Sequence, residues 1–344
     1  MRALRGNHIT ASHRRGIPAR WRRAGGAIAA LTLPIASSGA AAAPAWVASS
    51  CRVTHTIPVS MGTPSGVAVD SGAHTAYVTN YSSETVSVID EATNKVTHTI
   101  FIGYYPYGVA VDPAAGTVYV TNLYPGAVSV INAATNKVTR TIPIGAPYGV
   151  AVDAAARTVY VTNSSAGTVS VINAATNRIT RTIPVGVGVS GVAVDPAART
   201  VYVTGGGFRD ITSVINEATG TVTHAIPVGD TPYEVAVDPA AHTAYVANYS
   251  GGTVSVINEA TGTVARTIPV GSAPYGVAVD PAARTVYVTN GDGTVSVIDA
   301  ATSTVIATVP VGAFPYEVAV DPATHTAYVA NEDSGTVSVI QMCR

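Results

Sequence analysis

The stretch from Gly149 to Gly186, GVAVDAAARTVYVTNSSAGTVSVINAATNRITRTIPVG, decides the fold. It divides into four short runs rich in β-branched and aromatic residues, separated by turn residues: A (GVAVD), B (TVYVTN), C (TVSVIN) and D (RITRTIPV). Runs A, B and C are apolar on both faces, as strands are when both faces of their sheet are covered. Run D alternates Thr with Arg or His and then places a proline, at Pro143, Pro184, Pro227, Pro269 and Pro310 in successive copies. Proline lacks the amide proton that a ladder needs, so D is an edge strand. Run A, made of Gly, Ala and Val, is narrow enough for a crowded centre.

Working outward, the same unit fills the chain. V-A-V-D ends at Asp70, Asp112, Asp153, Asp195, Asp238, Asp280 and Asp321, spaced 42, 41, 42, 43, 42 and 41 residues apart. Seven four-stranded sheets of this length, arranged radially, are the propeller solution to exposed sheet edges. The two ends supply an independent argument. The last unit stops on a C run, Val337-Ser338-Val339-Ile340, and a D run stands alone at Arg52-Val53-Thr54-His55-Thr56-Ile57-Pro58-Val59. The first strand therefore completes the seventh sheet, a split for which a β-solenoid has no use. The fold class is all-β, a seven-bladed β-propeller whose last blade is closed by the N-terminal strand.

Tyr77-Val78-Thr79-Asn80 recurs as YVTN at Tyr119, Tyr160 and Tyr287, as YVAN at Tyr245 and Tyr328, and as YVTG at Tyr202. With VAVDP, this resembles the YVTN β-propeller repeat family across about residues 52–341. The resemblance implies a secreted or surface-layer propeller, with relatives among propeller domains of redox enzymes and lactonase-like proteins. Blade four departs: Gly205-Gly206-Gly207-Phe208-Arg209-Asp210-Ile211 replaces the Asn and lengthens the B–C loop by one residue.

Residues 1–45 differ from the rest. Arg2, Arg5, Arg14, Arg15, Arg20, Arg22 and Arg23 precede an apolar stretch from Ala27 to Ala36 and a small-residue run to Ala45. That order is what a secretory signal peptide looks like, with an uncleaved membrane anchor as the alternative, and Pro34 with Ser37-Ser38 cuts the apolar run short of a bilayer span. The expected organisation is a leader over 1–45, a short lead-in over 46–51, the propeller over 52–341 and a tail over 342–344. The exported chain is expected to be a monomer without a transmembrane anchor, placed outside the cell, on its surface or in the periplasm. The leader holds seven of the 19 Lys+Arg and none of the 20 Asp+Glu, so the remainder carries a net charge of −8. An acidic surface repels phosphate backbones, and nucleic acid is not an expected partner.

Residues present in every blade serve every blade. The VAVD aspartates are read as accepting a bond from the amide two residues on, and the YVTN asparagines as turning the chain after strand B. His8 and His13 lie in the leader; His55, His98 and His224 fall on D strands, and His74, His242 and His325 in A–B turns, at positions that hold arginine elsewhere. They are read as peripheral. No H-E-x-x-H, C-x-x-C-H or G-x-S-x-G occurs, and no catalytic residue or cofactor is identified.

The informative residues vary between blades at the face of the D–A and B–C loops. Tyr107, Tyr148, Tyr233, Tyr275 and Tyr316 stand before strand A and are expected to ring the channel mouth. The next residue is Gly66, Gly108, Gly149, Gly191 and Gly276, but Glu234 and Glu317 in blades five and seven. With Asp230, Asp292, Glu332 and Asp333 these form an acidic sector, expected to face away from the basic A–B and C–D turns. Hard oxygens there suit calcium or magnesium, and the ligand-binding set is Glu234, Glu317, Tyr233, Tyr275, Tyr316, Asp292, Glu332 and Asp333. The expected function is a binding or scaffold module for a protein, glycan or cell-wall component. The alternatives are a lactonase-like or other cation-dependent hydrolase and a subunit of a larger assembly. Aligned with its siblings, the split blade puts Cys51 and Cys343 two positions apart in what is elsewhere the C–D turn, so a disulfide between them is expected, with lipidation of Cys51 as the competing reading.

Overall fold

A computed structural model of the chain describes residues 51–59, 62–103, 105–205 and 210–341. The leader, most of the lead-in, the centre of the blade-four B–C loop and the tail with Cys343 lie outside the described residues. Among the described residues there are 28 strands and no helix, and so no helix long and apolar enough to cross a membrane.

The strands form seven antiparallel four-stranded sheets. Blade one is strand A (Pro64–Asp70), B (Thr75–Asn80), C (Thr85–Asp90) and D (Lys95–Phe101). Blade seven takes A, B and C from Pro315–Asp321, Thr326–Asn331 and Thr336–Gln341, and its D from Arg52–Pro58. Arg52 pairs with Gln341 and Pro58 with Thr336, so the first and last strands are hydrogen-bonded neighbours.

Burial explains why the blades stack. The tyrosine of each YVTN-type motif and the last isoleucine of each C strand are almost fully buried. Each apolar cluster draws on two adjacent blades, as where Tyr77, Val86 and Ile100 of blade one meet Val109, Val118 and Ile131 of blade two. The cluster joining Tyr328 and Val339 of blade seven to Val67 and Ile89 of blade one also holds Ile57. Ring closure therefore buries the same kind of surface as every other blade contact, with each such side chain contributing roughly 1.5–3 kcal/mol.

One irregularity of strand A positions the site. Pro64 pairs with Asn80 and Val67 with Val78, so Ser65 and Gly66 together face Thr79. Two residues against one is a β-bulge, and it recurs between strands A and B of every blade. The Thr79 hydroxyl accepts from Gly66 N at 2.7 Å and donates to Tyr107 O of blade two at 2.6 Å. It stitches the bulge and ties two blades together.

The VAVD aspartates cap the A–B turn, Asp70 accepting from Gly72 N and Ala73 N at 3.1 Å each, while Asp112, Asp153 and Asp280 accept from the amide three residues on rather than two. The asparagines require a correction. Asn80 ends strand B as a buried strand residue and donates to Ser87 Oγ on strand C at 3.0 Å, rather than turning the chain. Asn122, Asn163, Asn248, Asn290 and Asn331 do the same with Ser129, Ser170, Ser255, Ser296 and Ser338. A side chain that bonds inside its own sheet needs no loop to present it.

Candidate functional site

The axis is closed on the D–A and B–C side by tyrosine. Seven strands A converge there, and their second residues project inward. The hydroxyl of Tyr107 donates to that of Tyr148 at 2.5 Å and meets that of Tyr233 at 2.7 Å. Contacts of Tyr148 with Tyr233, and of Tyr316 with Tyr107 and Tyr233, complete a knot of four phenols. Tyr275 joins by its ring, 4.9 Å from that of Tyr316 and 5.1 Å from that of Tyr233. The five tyrosines thus meet on the axis instead of ringing an open mouth, because at this radius five rings fill the space that seven narrow strands leave. Burial pushes the Tyr148 phenol up to about 12 and those of Tyr233 and Tyr316 higher still.

Glu234 and Glu317 lie one residue further along the axis and, with Tyr233, Tyr275 and Tyr316, line one cavity of about 150 Å³. Val235 N donates to Glu234 Oε1 at 3.2 Å, and the N–H of Val192 also faces this carboxylate. The N–H of Val67 faces Glu317. Desolvation raises the Glu234 carboxyl to about 7 against these favourable amides. Glu317 is pushed up by desolvation and by the charge of Glu234. Two carboxyls are thus held in one desolvated space where full ionisation of both is unfavourable.

The remaining acidic residues are not gathered into this cavity. Asp292 ties the B–C loop of blade six to its D–A loop, accepting from Ser272 N at 3.2 Å and from the Thr294 hydroxyl at 2.6 Å. Asp230 and Asp333 are exposed on loops. Glu332 comes nearest in effect: its charge raises Tyr148, Tyr275 and Tyr316, and burial raises its own carboxyl.

The glutamates also obey a rule that inspection of single strands missed. Where strand A carries glycine, strand B carries Thr79, Thr121, Thr162, Thr204 or Thr289, whose hydroxyl accepts from that glycine's N–H. Blades five and seven have Glu234 with Ala247 and Glu317 with Ala330. A Cβ on Gly66, Gly108, Gly149 or Gly276 would stand 2.9–3.3 Å from the threonine Oγ1. The carbonyl of the next blade would stand closer still, at 2.3–2.8 Å, so losing the hydroxyl relieves one of two close contacts, and the sequence signal was the change from YVTN to YVAN.

The opposite face also departs from expectation. It is not simply basic: His74 meets Glu91 of its own blade and Asp321 of blade seven, and His242 meets Glu259 and Asp195 of blade four. Each of these histidines is exposed, and the aspartate that completes its trio comes from the neighbouring blade.

No protein-family model and no curated protein sequence matches the chain. Among solved structures it is similar to the hydrazine synthase of Kuenenia stuttgartiensis, with a TM-score of 0.76 and 22% identity over 83% of this chain and 97% of that one. At that identity the likeness is one of fold.

Proposed function

We propose that this chain is an exported propeller of the YVTN-repeat type that acts as a binding or scaffold module through its D–A and B–C loop face. The observation that carries the reading is a continuous aromatic platform on that face. Phe314 packs 5.2 Å from Tyr275 and Tyr249 4.8 Å from it, and through Tyr233 and Tyr316 the rings reach Tyr107 and Tyr148 across the axis. Tyr105, exposed, stacks at 4.8 Å on Tyr81 further out. Rigid aromatic rings give large contact areas at small entropic cost, which is why tyrosine is enriched where proteins bind. The acidic loops Asp230, Asp292 and Glu332-Asp333 around the platform favour a partner, protein, glycan or wall polymer, that brings cationic groups.

Binding of purified wall polysaccharides and of cationic surface proteins to the wild type and to Tyr249→Ser/Phe314→Ser tests this. Both residues sit at the rim rather than in the phenol knot, so the fold is retained. A loss of tenfold or more, about 1.4 kcal/mol, is expected. Equal binding by both proteins removes the aromatic face from the function. The hydrolase alternative needs a cation at Glu234 and Glu317, and calcium or magnesium titration of wild type against Glu234→Gln/Glu317→Gln separates it from simple docking.

A further inference from the structure

The blade contacts on the A–B and C–D side contain a second chemistry. Glu259 follows strand C of blade five (Thr253–Asn258), and its N–H bonds to His242 O at 3.1 Å, which holds the two residues side by side. Its side chain is only 7% exposed, and neither carboxylate oxygen has a hydrogen-bond partner. Facing it from blade four is Asp195, which is fully buried. Asp195 Oδ1 accepts from Ala197 N at 2.7 Å and Ala198 N at 3.0 Å, while Oδ2 has no partner. Three carboxylate oxygens are thus buried without a well-formed hydrogen bond beside a single imidazole, and the one neutral donor directed at Glu259 is the phenol of Tyr202. Unpaired buried charge is expensive, so such a cluster calls for a cation.

A related arrangement recurs where the ring closes, although there both oxygens of the aspartate already accept, Asp321 Oδ1 from Ala323 N at 2.9 Å and Oδ2 from the Thr324 hydroxyl at 2.7 Å. Glu91 of blade one is 5% exposed with both oxygens unpartnered, His74 stands beside it, and the fully buried Asp321 comes from blade seven. In each trio the ligand atoms lie within 4.8 Å of one another.

A contact elsewhere in the ring shows what histidine does when only one carboxylate is present. His325 of blade seven reaches Asp280 directly, Nδ1 to Oδ2 at 2.7 Å, and position 342, where blades one, four and five carry glutamate, is Met342. His242 and His74 instead stand off their glutamates at 3.7 and 3.9 Å. Those distances are too long for a hydrogen bond. They approach the roughly 3.4 Å between two ligands that each sit about 2.0–2.2 Å from a tetrahedral ion.

We propose that Asp195, His242 and Glu259, and likewise Asp321, His74 and Glu91, are two inter-blade sites for a divalent transition metal of the zinc class. A dication balances the two carboxylates. One imidazole with two carboxylates is a nitrogen and oxygen set that zinc accepts, whereas calcium calls for six or more oxygens. The imidazoles are 68% and 63% exposed, so they rotate freely to close the remaining distance and leave a fourth position to water. Each ion would join ligands from two blades, and the second would fasten the first blade to the last. This inference is independent of the loop-face reading, since the two concern opposite faces.

The test uses tag-free protein stripped with a chelator and titrated with zinc, read by elemental analysis after dialysis and by thermal shift. The expected result is two zinc ions per chain and a raised melting temperature. His242→Ala, at an exposed position, should match the wild type without zinc, retain one ion and lose part of the thermal response. Glu91→Gln should remove the other ion, weakening that site tenfold or more. His224→Ala, on an exposed D strand, should bind as the wild type does. Retention of no zinc by the wild type, or equal stoichiometry in wild type and His242→Ala, overturns the proposal and leaves carboxyl pairs that share a proton.

Discussion

Thr79 Oγ1 accepts from Gly66 N at 2.7 Å in the bulge of blade one, and the matching positions of blades five and seven hold alanine where strand A holds glutamate. A Cβ at Gly66 would stand 2.9 Å from that hydroxyl as well as 2.3 Å from Tyr107 O, so the hydroxyl is one of two groups that crowd a strand A side chain. Ala247→Thr should therefore place its hydroxyl against Glu234 and cost about 1–3 kcal/mol. Glu234→Gly in the same chain should recover that loss and restore the bond pattern of the other blades. Denaturant unfolding of the four proteins of this cycle should give a coupling energy of about 1 kcal/mol or more. Additive effects would show that the two positions do not share space.

The channel carboxyls predict a pH dependence. Glu234 is raised to about 7 and Glu317 is raised as well, so both bind protons more tightly in the folded chain than in the unfolded one. The stability they contribute is complete below the unfolded value of about 4.3 and falls as pH rises above it, the part from Glu234 being lost by about pH 7 and the part from Glu317 as its own raised value is passed, by at most about 1.4 kcal/mol per pH unit for each proton released. Melting temperatures across this window should fall for the wild type and fall less for Glu234→Gln/Glu317→Gln. The variant should be the more stable protein at the alkaline end. Parallel curves would mean that both groups remain ionised in the channel.

Register supports the cysteine pairing. Arg52 lies opposite Gln341, and in the sequence Cys51 comes one residue before the first and Cys343 two residues after the second, where every other blade has a covalent turn. Thiol titration of the exported protein, native and denatured, should find no reactive thiol, and reduction should lower its melting temperature. In the chain-entropy account, a loop of this size is worth at most about 5–6 kcal/mol. Two titratable thiols would disprove the bridge.

Export predicts a shortened chain. The exported protein should begin near Trp46, and its intact mass should be several kilodaltons below 34.8 kDa. A product that still carries Met1 in the growth medium would refute the leader.

The seven-blade ring was legible in the residues themselves because its causes are local and repeated. Period, strand composition and the prolines of D strands repeat in every unit, and the orphan D and C runs at the two ends leave closure as their only pairing. Glu234 and Glu317 were legible as departures from glycine, for the same reason. What they face was not. Tyr107 and Tyr316 are separated by 209 residues yet touch, and Asp195 meets a histidine and a glutamate from the next blade. Such relations depend on how far each sheet is rotated about the axis and on how much space is left at the centre. A repeat seen along the chain gives the order of the blades but not the distances across them, so the phenol knot, the shared desolvation of the channel carboxyls and the inter-blade trios were decided only when the ring closed.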